Sequence, residues 1–161
     1  MKSNKFVTGL VLLILLLGSP LAAYTGSVIG NRFLIHNDGS AVETEAALAY
    51  NSQNQEYLVV WQAEFAGPIR EVWGQRVSRN GTLRGSAFGI SPANGGYNPD
   101  VAYDSAVNQY LVVYETGSDI HGQRVSNTGG LVGGEIEIAA GYGHGAYHYR
   151  NPAVAYASTA D

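Results

Sequence analysis

The chain repeats itself at long range, and this limits its fold more than any single residue does. Tyr57-Leu58-Val59-Val60-Trp61 recurs as Tyr110-Leu111-Val112-Val113-Tyr114, from position 57 to position 110, a spacing of 53. Each run follows a short element of the same type, Ala47-Leu48-Ala49-Tyr50 and then Val101-Ala102-Tyr103. A third copy of that element, Pro152-Ala153-Val154-Ala155-Tyr156, opens 53 positions after Pro99. Gly74-Gln75-Arg76-Val77-Ser78 recurs as Gly122-Gln123-Arg124-Val125-Ser126, 48 positions on. Repeats of this length are supersecondary units that cannot bury their apolar faces alone and gain stability by stacking on one another.

Each unit reads as four short strands. The first holds Leu48-Ala49-Tyr50 or Val101-Ala102-Tyr103, and a polar, turn-prone link leads to the second. The second is a continuous apolar run rich in β-branched and aromatic residues, as expected of a strand covered on both faces. The third carries the Gly-Gln-Arg-Val-Ser motif and reverses at Asn80-Gly81 or Gly129-Gly130, the turn chemistry of a tight hairpin. The fourth runs from Leu83 to Ile90 or from Leu131 to Ile138, with Gly85 and Gly133 where a bulge would fall. No stretch after the N-terminal segment has helical periodicity, so the fold is expected to be all-β.

The ends are partial units. Gly26-Ser27-Val28-Ile29-Gly30-Asn31-Arg32-Phe33-Leu34-Ile35 matches the fourth strand, and the residues from Pro152 to Asp161 match a first strand. The expected division is a leader at 1–23, a lone fourth strand and linker at 24–46, repeats at 47–98 and 99–151, and the opening strand of a third repeat at 152–161. The stop at Asp161, in mid-hairpin, reads as that of a piece of a longer repeat protein.

The motif series Pro-x-Val-Ala-Tyr-Asp, Tyr-Leu-Val-Val-Trp, Gly-Gln-Arg-Val-Ser and Gly-x-Leu-x-Gly-x-x-Phe-x-Ile resembles the β-propeller-like tandem repeats of bacterial secreted and cell-surface proteins. The resemblance implies antiparallel four-stranded blades in an incomplete array, two full blades with flanking single strands. It carries no particular activity. Rings of blades typically need about four to eight, so it also implies further blades or self-association. Features of other blade families are missing: Trp73 is followed by glycine rather than aspartate, and no Asp-x-Asp-x-Asp-Gly calcium loop occurs.

The N-terminal residues predict export. Lys2 and Lys5 precede a mostly apolar run ending at Gly18-Ser19-Pro20 and the small residues Ala22 and Ala23, the pattern of a cleavable signal peptide. The run is short for a membrane span, which takes about 20 apolar residues. Secretion, the periplasm or the cell surface is the expected location, with no membrane attachment after cleavage. Both lysines leave with the leader. The remainder has seven arginines against 13 acidic residues and a net charge near −6. Nucleic acid is a poor partner for such a surface. The absence of cysteine rules out disulfides and thiolate metal sites.

Side chains that recur in every unit read as scaffold. Tyr50, Tyr103 and Tyr156 are therefore expected in the core, and Arg76 and Arg124 are expected to tie neighbouring blades together through hydrogen bonds or carboxylates such as Asp104. Positions that break the repeat are better binding candidates. Trp73 is replaced by His121. The link after the second fourth strand is longer than its counterpart and rich in rings, with Tyr142, His144, Tyr147, His148, Tyr149 and Arg150. Such residues can stack on a sugar and bond its hydroxyls. His144 and His148 have a helical metal spacing, but Gly143 and Gly145 oppose a helix, so no metal or other cofactor is expected. Ser118, Asp119 and His121 lack the spacing of a nucleophile elbow, and no catalytic residue is assigned. The expected function is non-enzymatic binding or adhesion, with a glycan or protein ligand. The alternatives are a lectin formed by oligomerising two-blade chains and a fragment of a secreted hydrolase.

Overall fold

In the computed structural model, residues 33–36, 39–67, 69–93, 95–141 and 149–158 are described. These residues contain eight strands and no helix: β1 (Ala41–Asn51), β2 (Glu56–Phe65), β3 (Arg70–Ser78), β4 (Leu83–Gly89), β5 (Tyr97–Asp104), β6 (Gln109–Thr116), β7 (Asp119–Ser126) and β8 (Leu131–Ala139). They form two antiparallel meanders, β1-β2-β3-β4 and β5-β6-β7-β8. The two sheets make an open, incomplete propeller-like array. β1 begins at Ala41, so residues 41–46, expected as linker, belong to the first sheet.

The two sheets share their registers as well as their order. Tyr50 pairs with Tyr57 as Tyr103 pairs with Tyr110, and Leu58 faces Arg76 as Leu111 faces Arg124. Local polar chemistry fixes the turns in both copies. Asn51 Oδ1 accepts hydrogen bonds from the backbone N–H groups of Gln53 and Asn54, and Asp104 Oδ1 accepts from Ala106 and Val107. Between β3 and β4 the chain reverses through Gly81 at φ 82°, and between β7 and β8 through Gly129 at φ 92°. The ladder shifts next to Gly85 and Gly133, both left-handed, which are the bulges expected from the sequence.

The main core lies between the sheets. Ala49, Leu58, Val60, Val72 and Ile90 of the first pack on Val101, Tyr110, Val112, Tyr114 and Val125 of the second. Each fully buried aliphatic side chain contributes about 1.5 to 3 kcal/mol. Gly74 leaves room for the Ile90 side chain to enter this core from its own repeat, since a Cβ there would lie 2.8 Å from Ile90 Cδ1. Arg76 crosses the interface: its Nη1 donates to Asn127 O of the second repeat at 2.9 Å and to Glu56 Oε1 at 3.3 Å. The inter-blade tie expected for Arg76 is present, with Glu56 rather than Asp104 as its carboxylate.

Two tyrosines expected in the core lie at the surface instead, Tyr50 at 42% exposed and Tyr156 at 38%, while Tyr103 is half-buried and donates its hydroxyl to Asn108 Oδ1. The buried tyrosines are Tyr110 and Tyr114. Position within the repeat does not decide burial here, because a side chain on a sheet face is covered only where a neighbouring sheet reaches it.

The other face of the first sheet carries Val59, Trp61, Ala63 and Val77, with Ile35 and Trp73 packed against them. Phe33 lies against Gly81 as Phe88 lies against Gly129. Residues 33–35 thus touch the first sheet as the end of β4 touches the second. At the opposite side, residues 152–158 lie on the second sheet, and the Val154 N–H donates to Asp100 Oδ2 at 2.8 Å.

Candidate binding site

Three matching backbone stations mark where consecutive repeats meet, and two of them, Glu45 and Asn98, line a polar cleft. Glu45, Asn98 and Asn151 occupy the same place in successive repeats, and all three are left-handed, with φ of 49°, 50° and 50°. Asparagine tolerates this region better than most residues. The Asn98 N–H donates to Gln62 Oε1 at 3.4 Å, and the Asn151 N–H donates to Glu115 Oε1 at 2.6 Å. Gln62 on β2 and Glu115 on β6 are themselves equivalent, so the repeat reuses one joint with an amide in one copy and a carboxylate in the next.

Glu115 is fully buried and saturated with donors. It also accepts from Asn98 Nδ2 at 2.7 Å and from Arg150 Nη1 at 3.5 Å. A buried carboxylate needs such company, since an unpaired one is strongly destabilising. Above this floor the cleft, of about 450 Å³, is lined by Glu45, Gln62, Arg70, Tyr97, Gly117 and Arg150, with Asn98. The Arg70 guanidinium sits 5.9 Å from the centre of the Tyr97 ring and donates to Glu64 Oε1 at 3.2 Å. The Tyr97 hydroxyl accepts from the Gly117 N–H at 2.7 Å, which fixes the ring at the cleft wall. The lining is an aromatic edge, amides and two arginines whose charges are each matched by a carboxylate.

The candidates from the sequence are distributed as follows. Tyr142, His144, Tyr147 and His148 lie outside the described residues. Arg150 lines the cleft, and Tyr149, exposed beside it, donates its N–H to Ser118 O at 3.1 Å. Trp73 packs on the far face of the first sheet, where its Nε1 donates to Glu71 Oε2 at 2.9 Å. His121, its counterpart, belongs to a different cluster. Its Nδ1 lies 3.1 Å from Glu135 Oε2, and Glu135 Oε1 accepts from the Tyr114 hydroxyl at 2.6 Å. Neither Trp73 nor His121 lines the cleft. Burial, reinforced by the Glu135 carboxylate, pushes the Tyr114 phenol far up, and burial does the same to Tyr110.

The cleft residues missed in the sequence are Glu45, Gln62, Arg70, Tyr97 and Asn98. The one signal in the sequence that could have pointed to them is the exchange of Gln62 for Glu115 at equivalent positions of the two repeats. A second concavity, about 340 Å³ and mostly apolar, lies on the far face of the first sheet, lined by Ile35, His36, Val59 and Trp61 among others. His36 stacks 5.3 Å from Trp61 there and meets the Glu43 carboxylate through Nδ1.

Comparison with family models, curated proteins and solved structures gives no match for this chain.

Proposed function

We propose that the protein is an exported, non-enzymatic repeat protein of the β-propeller type that acts in binding or adhesion at the cell surface or outside the cell. On this reading the cleft between repeats is its ligand site and a saccharide is its ligand. The observation that carries the reading is the composition of that cleft. Arg70 and Arg150 are each engaged by a carboxylate, so the cleft has no strong net field for a small ion and instead offers fixed donors, acceptors and the Tyr97 ring. A sugar suits such a lining: hydroxyls bond in-plane to guanidinium and amide groups while a C–H face lies on the aromatic ring. The variable, ring-rich link ending at Arg150 adjoins the cleft in sequence. Export rests on the Lys2 and Lys5 flank and the apolar run that follows it.

A glycan array followed by calorimetric titration of its best ligand tests the reading. Tyr97→Ala and Arg150→Ala should each weaken binding at least about tenfold, the loss of roughly one well-formed contact. Arg150 is largely exposed but is the cation paired with buried Glu115, so circular dichroism and urea unfolding must show each variant folded before its binding is read, and Arg150→Lys, which keeps the charge, serves as the control. Binding unchanged in both variants would reject the cleft as the site, and a blank array would reject the saccharide.

A further inference from the structure

A second polar groove lies at the opposite end of the first sheet from the cleft, between the β1–β2 turn and the β3–β4 turn. It encloses about 540 Å³, with Gln53, Asn54 and Gln55 on one wall and Arg79, Asn80 and Arg84 on the other. The walls are tied to each other: the Arg79 N–H donates to Gln55 O at 2.9 Å, and Arg79 Nη1 donates to Gln55 Oε1 at 3.3 Å. Gln53 and Asn54 are anchored in turn to the second repeat, through Ser105 O and Asn108 Nδ2. Repetition separates what these turns need from what they do not. In both repeats a serine Oγ, of Ser78 or Ser126, accepts from the N–H four residues on and sets the β3–β4 or β7–β8 reversal. The second repeat makes its turns with Ala106 and Val107 in place of Gln53 and Asn54, Asn127 in place of Arg79 and Val132 in place of Arg84. The backbone therefore reverses in the same way without either arginine.

Charge gives the groove its chemistry. Arg70, Arg76 and Arg150 each meet a carboxylate, but among the described residues neither Arg79 nor Arg84 does. No acidic residue lines the groove, whereas Glu45 lines both the cleft and the apolar concavity. Glu56, next to Gln55 in sequence, is paired with Arg76 at 3.3 Å. In a chain with 13 acidic side chains against nine basic ones, two guanidinium groups unmatched by carboxylates in one concavity make a local positive field. We propose that this groove binds a phosphate or sulfate ester of a hydroxyl-rich molecule. The planar guanidinium forks meet the tetrahedral oxyanion through paired N–H donors. The Gln53, Asn54 and Asn80 amides and the Thr82 hydroxyl bond the remainder of the ligand, for which the groove has room beyond the oxyanion. Groove and cleft share no lining residue, so this inference stands apart from the saccharide reading.

Calorimetric titration of the full chain at low salt tests the proposal, with glucose 6-phosphate and glucose 6-sulfate as probes. A Kd of about 1 mM or tighter is expected for at least one ester, and the tighter of the two identifies the oxyanion. Glucose should be silent, and inorganic phosphate should bind at least about fivefold more weakly than the better ester. Arg84→Gln removes an exposed guanidinium and should weaken ester binding at least about fivefold; Arg79→Gln, which also loses the tie to Gln55, should weaken it at least as much. Arg124→Gln takes the same charge from the exposed second sheet and should leave Kd within about twofold, as should Tyr97→Ala in the cleft. Circular dichroism and urea unfolding establish that each variant is folded before its binding is read. No saturable binding of either ester to the folded chain overturns the proposal, as does binding indifferent to Arg84→Gln. Equal weakening by Arg124→Gln overturns it by reducing the attraction to net charge, and loss of binding in Tyr97→Ala overturns it by giving the ester to the cleft. Inorganic phosphate binding as tightly as the esters overturns the role of the hydroxyl-rich part.

Discussion

Gly74 and Gly122 occupy the same position in the two repeats, and alanine at each should have opposite consequences. A Cβ on Gly74 would lie 2.8 Å from Ile90 Cδ1 and 3.4 Å from Leu58 Cδ1 and Phe88 Cζ; on Gly122 it would lie 2.9 Å from Ile138 Cδ1 and 3.4 Å from Leu111 Cδ1. The local collisions are nearly identical, about 0.6 to 0.7 Å inside a comfortable carbon–carbon separation. The surroundings are not. Ile90 is clamped between the sheets and can yield only by leaving its rotamer or parting them, an overpacking penalty of about 1 to 3 kcal/mol. Ile138 is half in solvent and can turn away at almost no cost. Against both stands the gain of about 0.5 to 1 kcal/mol from replacing glycine in a strand. Gly74→Ala should therefore destabilise by up to about 2.5 kcal/mol, with about 1 kcal/mol as the central value, while Gly122→Ala should be neutral or stabilise by up to about 1 kcal/mol. Urea unfolding followed by the fluorescence of Trp61 and Trp73 measures both. Adding Ile90→Val removes the colliding Cδ1 and should recover part of the Gly74→Ala loss. Equal losses in the two single variants, or no recovery in the double, would refute the claim that the inter-sheet interface sets the cost.

Two further outcomes follow from buried groups. Arg76→Ala strands Glu56, whose side chain is only 4% exposed, and should cost about 2 to 3 kcal/mol by the same urea assay, whereas Arg124→Ala should change stability by less than about 0.5 kcal/mol. Tyr110 and Tyr114 are held protonated above the ordinary phenol value of 10.0. The unfolded chain releases these protons first as pH rises, so their contribution is intact below pH 10 and is lost above it, at about 1.4 kcal/mol per pH unit for each group. Absorbance at 295 nm should show these two phenols ionising only together with loss of the β-sheet circular dichroism signal. Their titration in a still-folded protein would contradict the burial argument.

The strand plan was legible because it depends on local chemistry. Apolar β-branched runs, Asn-Gly or Gly-Gly reversals and paired bulge glycines each specify their own stretch of backbone, and repetition confirmed them twice over. Burial was less legible, since it belongs to the space between sheets: the recurring tyrosine series containing Tyr50 and Tyr156 shares a sequence position but not a neighbour. The cleft was hardest to read. Its wall is drawn from residues 45, 62, 70, 97, 117 and 150, brought together only when three repeats align, and Asn98 recurs as Asn151 and so reads as scaffold. Arg150 was found because it breaks the repeat. Tyr149 beside it bonds through its backbone, a role that side-chain type does not signal.

The three left-handed stations are not chemically equal. Asparagine at 98 and 151 suits that backbone, but Glu45 has no short amide with which to satisfy it locally, and a non-glycine residue in this region stores about 1 kcal/mol or more. The first repeat therefore concentrates backbone strain at one residue of the cleft wall, at the point where the β1–β2 register shifts between Thr44 and Ala47.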